Sequence, residues 1–381
     1  MKSYTFYKSF LLVFFCAALT LPVQAFDWGG FLSNNTGMTG NLHNAYFNQS
    51  NKLTLWMRVP LPETANSYFT AETYYAYDYS GKNKEFSHVW DLNLFKLSVA
   101  HEEGPAKLTF NLGRFGIRDL SGLILSQTAD GMELNIAGKA FSAKTYIGFT
   151  GLLNNKTTNM AAANPEHKNL HVYQASPAIL IGNIFFSFPR LFAQQTLSCE
   201  LYAMTGIRNP TFFLTAALNG PIKGPLFYIA STSWALTKSK FSNISSFELT
   251  AFIPVRSSMV SWRNIFATGS AGRYIGDFTP FTLISANMDS SIKYAGYIKS
   301  GIVGSIRPIQ PIVVTAGVDA FFNVMNKNKA KGFSGMQWQT ALRWQIMSDF
   351  QVSCAAGQFF DWEKRRGLPY TFANIKVLYS F

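Results

Sequence analysis

Apolar and polar residues alternate with a period of two along nearly the whole chain. From Lys52, KLTLWMRVPL places Leu53, Leu55, Met57 and Val59 on one parity and Lys52, Thr54 and Arg58 on the other. YFTAETYYAYD sets Phe69, Ala71, Tyr75 and Tyr77 against Thr70, Glu72 and Asp78, and GMELNIAG sets Met132, Leu134 and Ile136 against Glu133 and Asn135. FSAKTYIGF opposes Phe141, Ala143, Ile147 and Phe149 to Ser142, Lys144 and Tyr146. VVTAGVDAFFNV and MQWQTALRWQI repeat the pattern, with Asp319 and Arg343 in the polar phase. A 3.6-residue period fits none of these stretches, so they predict β-strands with one greasy and one wettable flank. Roughly eighteen such strands follow one another without a linker or a repeat.

Connections between strands sort into two kinds. Glu102-Glu103-Gly104-Pro105 and Gly138-Lys139 read as tight turns, whereas Ser33 to Asn51 and Gly151 to Ser176 read as long polar loops. Strand parities counted inward from the two ends disagree between Gly206 and Ser290, which leaves the expected number at 16–18. The last ten residues, FANIKVLYSF, keep the alternation to the end, with Ala373, Ile375, Val377, Tyr379 and Phe381 on one parity. Chain ends fray unless something ties them down. The final strand is therefore expected to pair with the first, near Phe26 to Ser33.

Composition decides what the greasy flank touches. Hydrophobic residues are 48% of the chain and aromatics 16%, while charged residues are only 14%, against roughly 25% in soluble domains. No stretch after the leader has the length and apolarity of a membrane helix, which needs ~20 residues. Abundant apolar surface spread over every second residue is what a transmembrane β-barrel requires. A soluble sandwich also alternates, but uses about seven strands per ~100-residue domain and buries its apolar phase against a second sheet. In hydrocarbon an open sheet edge would leave backbone groups unpaired at several kcal/mol each, so the sheet must close. The expected fold is all-β: a closed antiparallel transmembrane β-barrel of about 16–18 strands.

At the N-terminus, Lys2 and Lys8 precede the apolar run FLLVFFCAAL, and Val23-Gln24-Ala25 follows with the small-residue spacing of a leader-peptidase site. Residues 1–25 are read as a signal peptide and 26–381 as a single barrel domain. The closing residues, with Phe381, Tyr379, Val377 and Ile375 in phase, resemble the C-terminal signature of bacterial outer-membrane β-barrel proteins. That resemblance implies an outer-membrane location, contact with outer-membrane lipid, and recognition of the last strand by the barrel-insertion machinery. It identifies the class, porin-like, and no family within it.

Candidate chemistry is sparse. GRFGIRDLSGLILSQTADG, from Gly113 to Gly131, carries Arg114, Arg118 and Asp119 beside Leu120, Leu123, Ile124 and Leu125. It is read either as an outer connection folded into the lumen with its charges at a constriction, or as a loop packed on its neighbours with Arg118 and Asp119 as a surface pair. Rings of charge in a narrow pore select ions. Lumen-facing charges are expected at Lys52, Arg58, Lys107, Lys144, Lys293, Lys299, Arg343 and Lys376, against Glu72, Asp78, Asp91, Glu133, Glu248 and Asp319. With a formal net charge of +13 over the chain, this predicts small polar or anionic solutes as partners. Export excludes nucleic acid. His167 and His171 lie in a Pro-containing stretch without helical zinc spacing, and Ser87 and His88 point to opposite flanks, so no enzyme and no cofactor are expected. Cys199 and Cys354 are expected on the greasy flank as small apolar residues. A porin-like diffusion channel, compatible with a homo-oligomer, is the favoured function. A structural or adhesive barrel and a fatty-acid-type hydrophobic transporter are the alternatives.

Overall fold

In the computed structural model the described residues are 26–381, apart from 42, 62–65, 105, 159, 161–172, 207–209, 238–239, 272, 283–285, 287, 289–291, 326–330 and 363–367. The leader reading and the pair His167 and His171 lie outside them. In chain order the strands are β1 (Asp27–Gly40), β2 (Ala45–Pro60), β3 (Tyr68–Ser80), β4 (Glu85–Glu103), β5 (Ala106–Arg118) and β6 (Ser126–Ala137). β7 (Ser142–Phe149), β8 (Leu180–Phe192), β9 (Gln195–Thr205), β10 (Thr211–Pro221), β11 (Leu226–Thr237) and β12 (Lys240–Ile253) follow. The remainder are β13 (Ser258–Ala267), β14 (Tyr297–Ile309), β15 (Ile312–Asn323), β16 (Gly332–Gln345), β17 (Phe350–Asp361) and β18 (Tyr370–Ser380).

Every strand pairs antiparallel with its neighbours in sequence, and β18 pairs with β1, so the 18-stranded sheet closes on itself. Closure runs from Phe31↔Ser380 to Gly40↔Thr371. The Gly30 amide donates to the Phe381 carbonyl at 2.9 Å, and the Phe381 amide donates back to Gly30 at 3.0 Å. A Cβ on Gly30 would stand 2.5 Å from the Phe381 ring, and one on Gly29 would stand 3.0 Å from the Trp56 indole. Two glycines thus let one aromatic ring cover the seam on each face. The expected strand partner of the C-terminus is confirmed.

An even strand count opens both ends of the chain on the same rim. Connections on that rim are short, such as 104–105, 193–194 and 310–311, while those on the far rim include 150–179 and 268–296. The outward parity is apolar and exposed, as at Ile147, Ile184, Leu214, Trp262 and Ile375. Neither Cys199, on β9, nor Cys354, on β17, is disulfide-bonded.

Three expectations are corrected. Ser33 to Asn51 is no long loop: it is β1 and β2 joined by a four-residue turn, 41–44. The alternation fails there because Asn34, Thr36, Gln49 and Asn51 are polar on the outward parity as well. Gly113 to Gly131 is mostly strand, with only residues 119–125 between β5 and β6. The parity conflict arises because β11 and β12 are joined by two residues without Gly or Pro, and because connection 268–296 carries buried apolar residues that imitate a strand. Lys293 belongs to that connection rather than to the wall.

Candidate functional site: a luminal passage

The polar parity turns inward, which puts Lys52, Arg58, Glu72, Glu133, Lys144, Asp319 and Arg343 on the lumen wall with the side-chain contacts that follow. Lys52 Nζ lies 3.9 Å from the Tyr74 ring centre and Arg58 Cζ 3.8 Å from that of Tyr68. Lys144 lies between the Tyr146 and Phe185 rings at 5.8 and 5.6 Å. The acids are more tightly engaged. Glu72 accepts from Asn93 at 2.5 Å, and Glu133 from Asn111 at 2.8 Å and Asn135 at 2.7 Å. Asp319 pairs with Lys299 at 3.1 Å and accepts from Gln337 at 2.6 Å.

β4 and β5 part company near the far rim, because their pairing stops at Phe95↔Arg114 while β4 continues along β3 to Glu85. Gly113 turns the chain there with φ 115°, a conformation that favours glycine. Arg114 fills the resulting fork. It forms a bidentate pair with Asp130 at 2.8 and 2.9 Å, donates to the Leu92 and Leu152 carbonyls at 2.9 Å each, and lies 3.7 Å from Asp91. One buried guanidinium thereby ties β4, β6 and connection 150–179 together. Thr157 adds a bond to Asp91 at 2.6 Å.

Residues 119–125 fold inward around Asp119, whose buried carboxylate accepts the amides of Ser121, Ile124 and Leu125 at 2.8–3.1 Å, and the Ser121 hydroxyl. The tip is held from farther along the wall, where Glu200 on β9, three strands beyond β6, accepts the Leu120 amide at 2.6 Å and the Asn183 side chain at 2.5 Å. Connection 268–296 then crosses from β13 to the opposite side. Its Phe281 and Thr282 amides donate to the Ile124 carbonyl at 2.9 and 3.0 Å, and Thr282 forms a bridge with Met160 of connection 150–179. The other end of the crossing is braced by Met288 to Gln337 at 3.1 Å and by Lys299 to the Ala286 carbonyl at 3.3 Å. Burial pushes the phenol of Tyr294, in the same connection, above its ordinary pKa.

Three infolded connections therefore build an apolar core inside the barrel. Ile124, Leu125, Met160, Phe278 and Phe281 pack against inward Tyr146, Tyr202, Phe213, Ile244 and Ile265 of the wall. Those five wall residues are no more than 2% exposed, so the β7–β13 side is sealed. On the side formed by β16–β18 and β1–β4 the inward Arg58, Arg343 and Lys376 stay exposed. Arg343 and Lys376 flank Ser353 on neighbouring strands, and among the described residues neither pairs with a carboxylate. These exposed basic groups inside the barrel thus lie on the β16–β4 side, with Glu72 and Asp78 of β3 beside them.

Of the three residues singled out for a constriction, Arg114 and Asp119 are buried and bonded as described, and Arg118 is exposed with its guanidinium over Gly122. No Arg118–Asp119 ion pair forms among the described residues. Sequence reasoning missed Glu200, Asp130 and Thr282. Glu200 had a local signal, since it is the only charge in LSCELYAM and shares the inward parity of Ser198 and Tyr202. His88 faces outward, edge-on to Tyr75 at 6.3 Å between ring centres, away from Ser87.

No protein-family model matches the chain, and no curated protein does. Solved structures do match. A BenF-like porin from Pseudomonas fluorescens Pf-5 superposes with a TM-score of 0.63 at 7% identity, over 94% of this chain and 99% of that one. OccK2 (OpdF) of Pseudomonas aeruginosa, in complex with glucuronate, gives 0.61 at 8% identity over 94% and 98%. OpdK of Pseudomonas aeruginosa with vanillate gives 0.58 at 9% over 93% and 98%. At such identities the likeness is one of fold. The chain, a closed barrel of 18 strands, has the fold of these outer-membrane porins.

Proposed function

We propose that this chain is an outer-membrane channel for small polar solutes, with a preference for anions. The observation that carries the reading is the asymmetry of the lumen. Infolded connections seal the β7–β13 side, and what is left open is lined by Lys52, Arg58, Arg343 and Lys376. Near this wall Asp319 is paired with Lys299 and Glu72 is held by Asn93, while Arg58, Arg343 and Lys376 stay exposed. A cationic wall in a narrow, low-dielectric passage raises the local concentration of anions. Glucuronate and vanillate, seen with two of the structural relatives, are both carboxylates, which supports the same solute class. The domain reading goes with it: an exported barrel over 26–381 behind a leader at 1–25, delivered through recognition of the strand ending in Ile375, Val377, Tyr379 and Phe381.

Two alternatives are less well supported. A fatty-acid-type transporter places an N-terminal hatch inside its barrel, whereas residues 27–40 here are wall strand. A rim hydrolase needs a nucleophile and base together, and His88 looks toward lipid. Planar-bilayer recording of the refolded protein tests the proposal. Stepwise conductance with an anion-biased reversal potential in a salt gradient is expected, reduced in Arg343→Ala/Lys376→Ala. Closed bilayers across many insertions of correctly folded protein would refute a channel.

A further inference from the structure

The rim that carries both chain ends is divided by charge. Five consecutive hairpin connections on it, β6–β7, β8–β9, β10–β11, β12–β13 and β14–β15, each bear one exposed cation at or beside the turn. These are Lys139, Arg190, Lys223, Arg256 and Arg307. No Asp or Glu lies in residues 137–142, 189–196, 221–226, 253–258 or 306–312. None of the five cations pairs with a carboxylate among the described residues. The rest of the rim differs. From β16 round to β5 its described residues include Asp27, Glu102 and Asp349, and its cations are the luminal Arg58 and Lys107, which pairs with Glu102 at 3.2 Å.

Each cation also stands beside an apolar side chain of the lipid-facing wall. Phe141, Phe188, Ile222, Ile253 and Ile306 lie on the outward parity of their strands, or one residue beyond the strand end, and all five are exposed. The connections are two to four residues long, so no cation is more than three residues from that side chain, about 10 Å at ~3.3 Å per residue. Two of the five sit where a side chain is unfavourable. Arg190 and Arg256 have φ of 58° and 55°, in the left-handed region that favours glycine. A long basic residue kept in such a conformation points to a use for its charge.

We propose that the rim over β6–β15 docks anionic glycerophospholipids by their phosphodiester headgroups. A long basic side chain can lay its stem on apolar surface and keep its charged head at the polar boundary. The phosphodiesters of the adjoining leaflet lie at that boundary. Arginine and lysine both bind phosphate, and arginine does so with two parallel bonds. Clustered cations at a membrane surface attract acidic lipid. Adjacent turns are two strands apart, about 10 Å at ~4.8 Å spacing, so the cations form a row along a curved edge. A row of separate headgroups fits both that spacing and the continuity with the apolar wall. A soluble polyanion below the rim would leave the flanking Phe and Ile side chains unused. None of the five cations belongs to the luminal basic wall, so lipid docking is independent of conduction.

The test uses the full chain, with Cys199 and Cys354 replaced by Ala, in vesicles of equal phosphatidylglycerol and phosphatidylcholine. A fluorophore is attached at Ile222→Cys, within the basic arc, or at Trp28→Cys, on the acidic side of the same rim. Quenching by spin-labelled phosphatidylglycerol is divided by quenching by spin-labelled phosphatidylcholine. That ratio should be about threefold higher at Ile222→Cys than at Trp28→Cys, and the difference should shrink as salt screens the cations. Lys139→Gln/Arg190→Gln/Lys223→Gln/Arg256→Gln/Arg307→Gln should bring the two ratios together. The milder Lys223→Gln/Arg256→Gln should close part of the gap, and heat-shifted mobility on gels shows that each variant is folded. Equal ratios at both positions in the folded parent, or a difference that survives in the folded variants, would overturn lipid docking at this rim. A parent that docks phosphatidylglycerol but never conducts would remove the channel reading and leave this one standing.

Discussion

Arg114 joins the fork between β4 and β5 because only a planar guanidinium can grip Asp130 with two bonds and still reach two carbonyls. Truncating such a buried group leaves Asp130 and Asp91 uncompensated, which costs about 3–5 kcal/mol. Arg114→Ala should therefore destabilise vesicle-inserted protein by that amount in urea titrations, and Arg114→Lys should recover only a small part. An unchanged midpoint would show the fork to be held by something else. Gly30 acts at the same scale. A side chain there would bring its Cβ within 2.5 Å of the Phe381 ring. Gly30→Val should slow closure and deplete the heat-modifiable band of folded barrel, while Gly182→Val, on β8 with open space around it, should be milder.

Connections rather than strands shape the passage at the scale of elements. Glu200 reaches from β9 to the tip of 119–125, and removing its carboxylate leaves the Leu120 amide and the Asn183 side chain without their acceptor. Glu200→Ala should loosen the tip. Faster hydrogen exchange at Leu120 and Ile124 is expected, together with noisier and larger conductance steps. Exchange indistinguishable from the parent would mean that the Phe281 and Thr282 contacts suffice alone. The pairing of strands needs no such help, since each ladder is satisfied by its neighbours and closure removes the edges.

For the whole molecule, the decisive feature of the proposed channel is the lopsided lumen, packed shut on the β7–β13 side and carrying exposed Arg58, Arg343 and Lys376 on the other. Its selectivity should be electrostatic and therefore weaken with salt, because the screening length falls from ~10 Å at 0.1 M to ~3 Å at 1 M. The reversal potential under a fixed concentration ratio should shrink toward zero as both sides are made more saline. A bias that persists undiminished would point to steric or site-specific binding instead.

Much of this was legible in the residues themselves. Period two, scarce charge, scattered aromatics and a closing Phe381 require a sealed β-barrel, because a backbone in oil tolerates no loose edge. Inward placement of Lys52, Glu133 or Arg343 follows from parity alone, a purely local rule. What parity cannot report is partnership across the lumen. Asp119 and Arg114 looked like pore charges, yet folding consumes both in holding the infolded connections. Glu200 meets Leu120, and Ile124 meets Phe281 and Thr282 from across the barrel, only once eighteen strands have curved into a ring. Curvature brings distant segments together, and it is that closeness which decides where the passage runs.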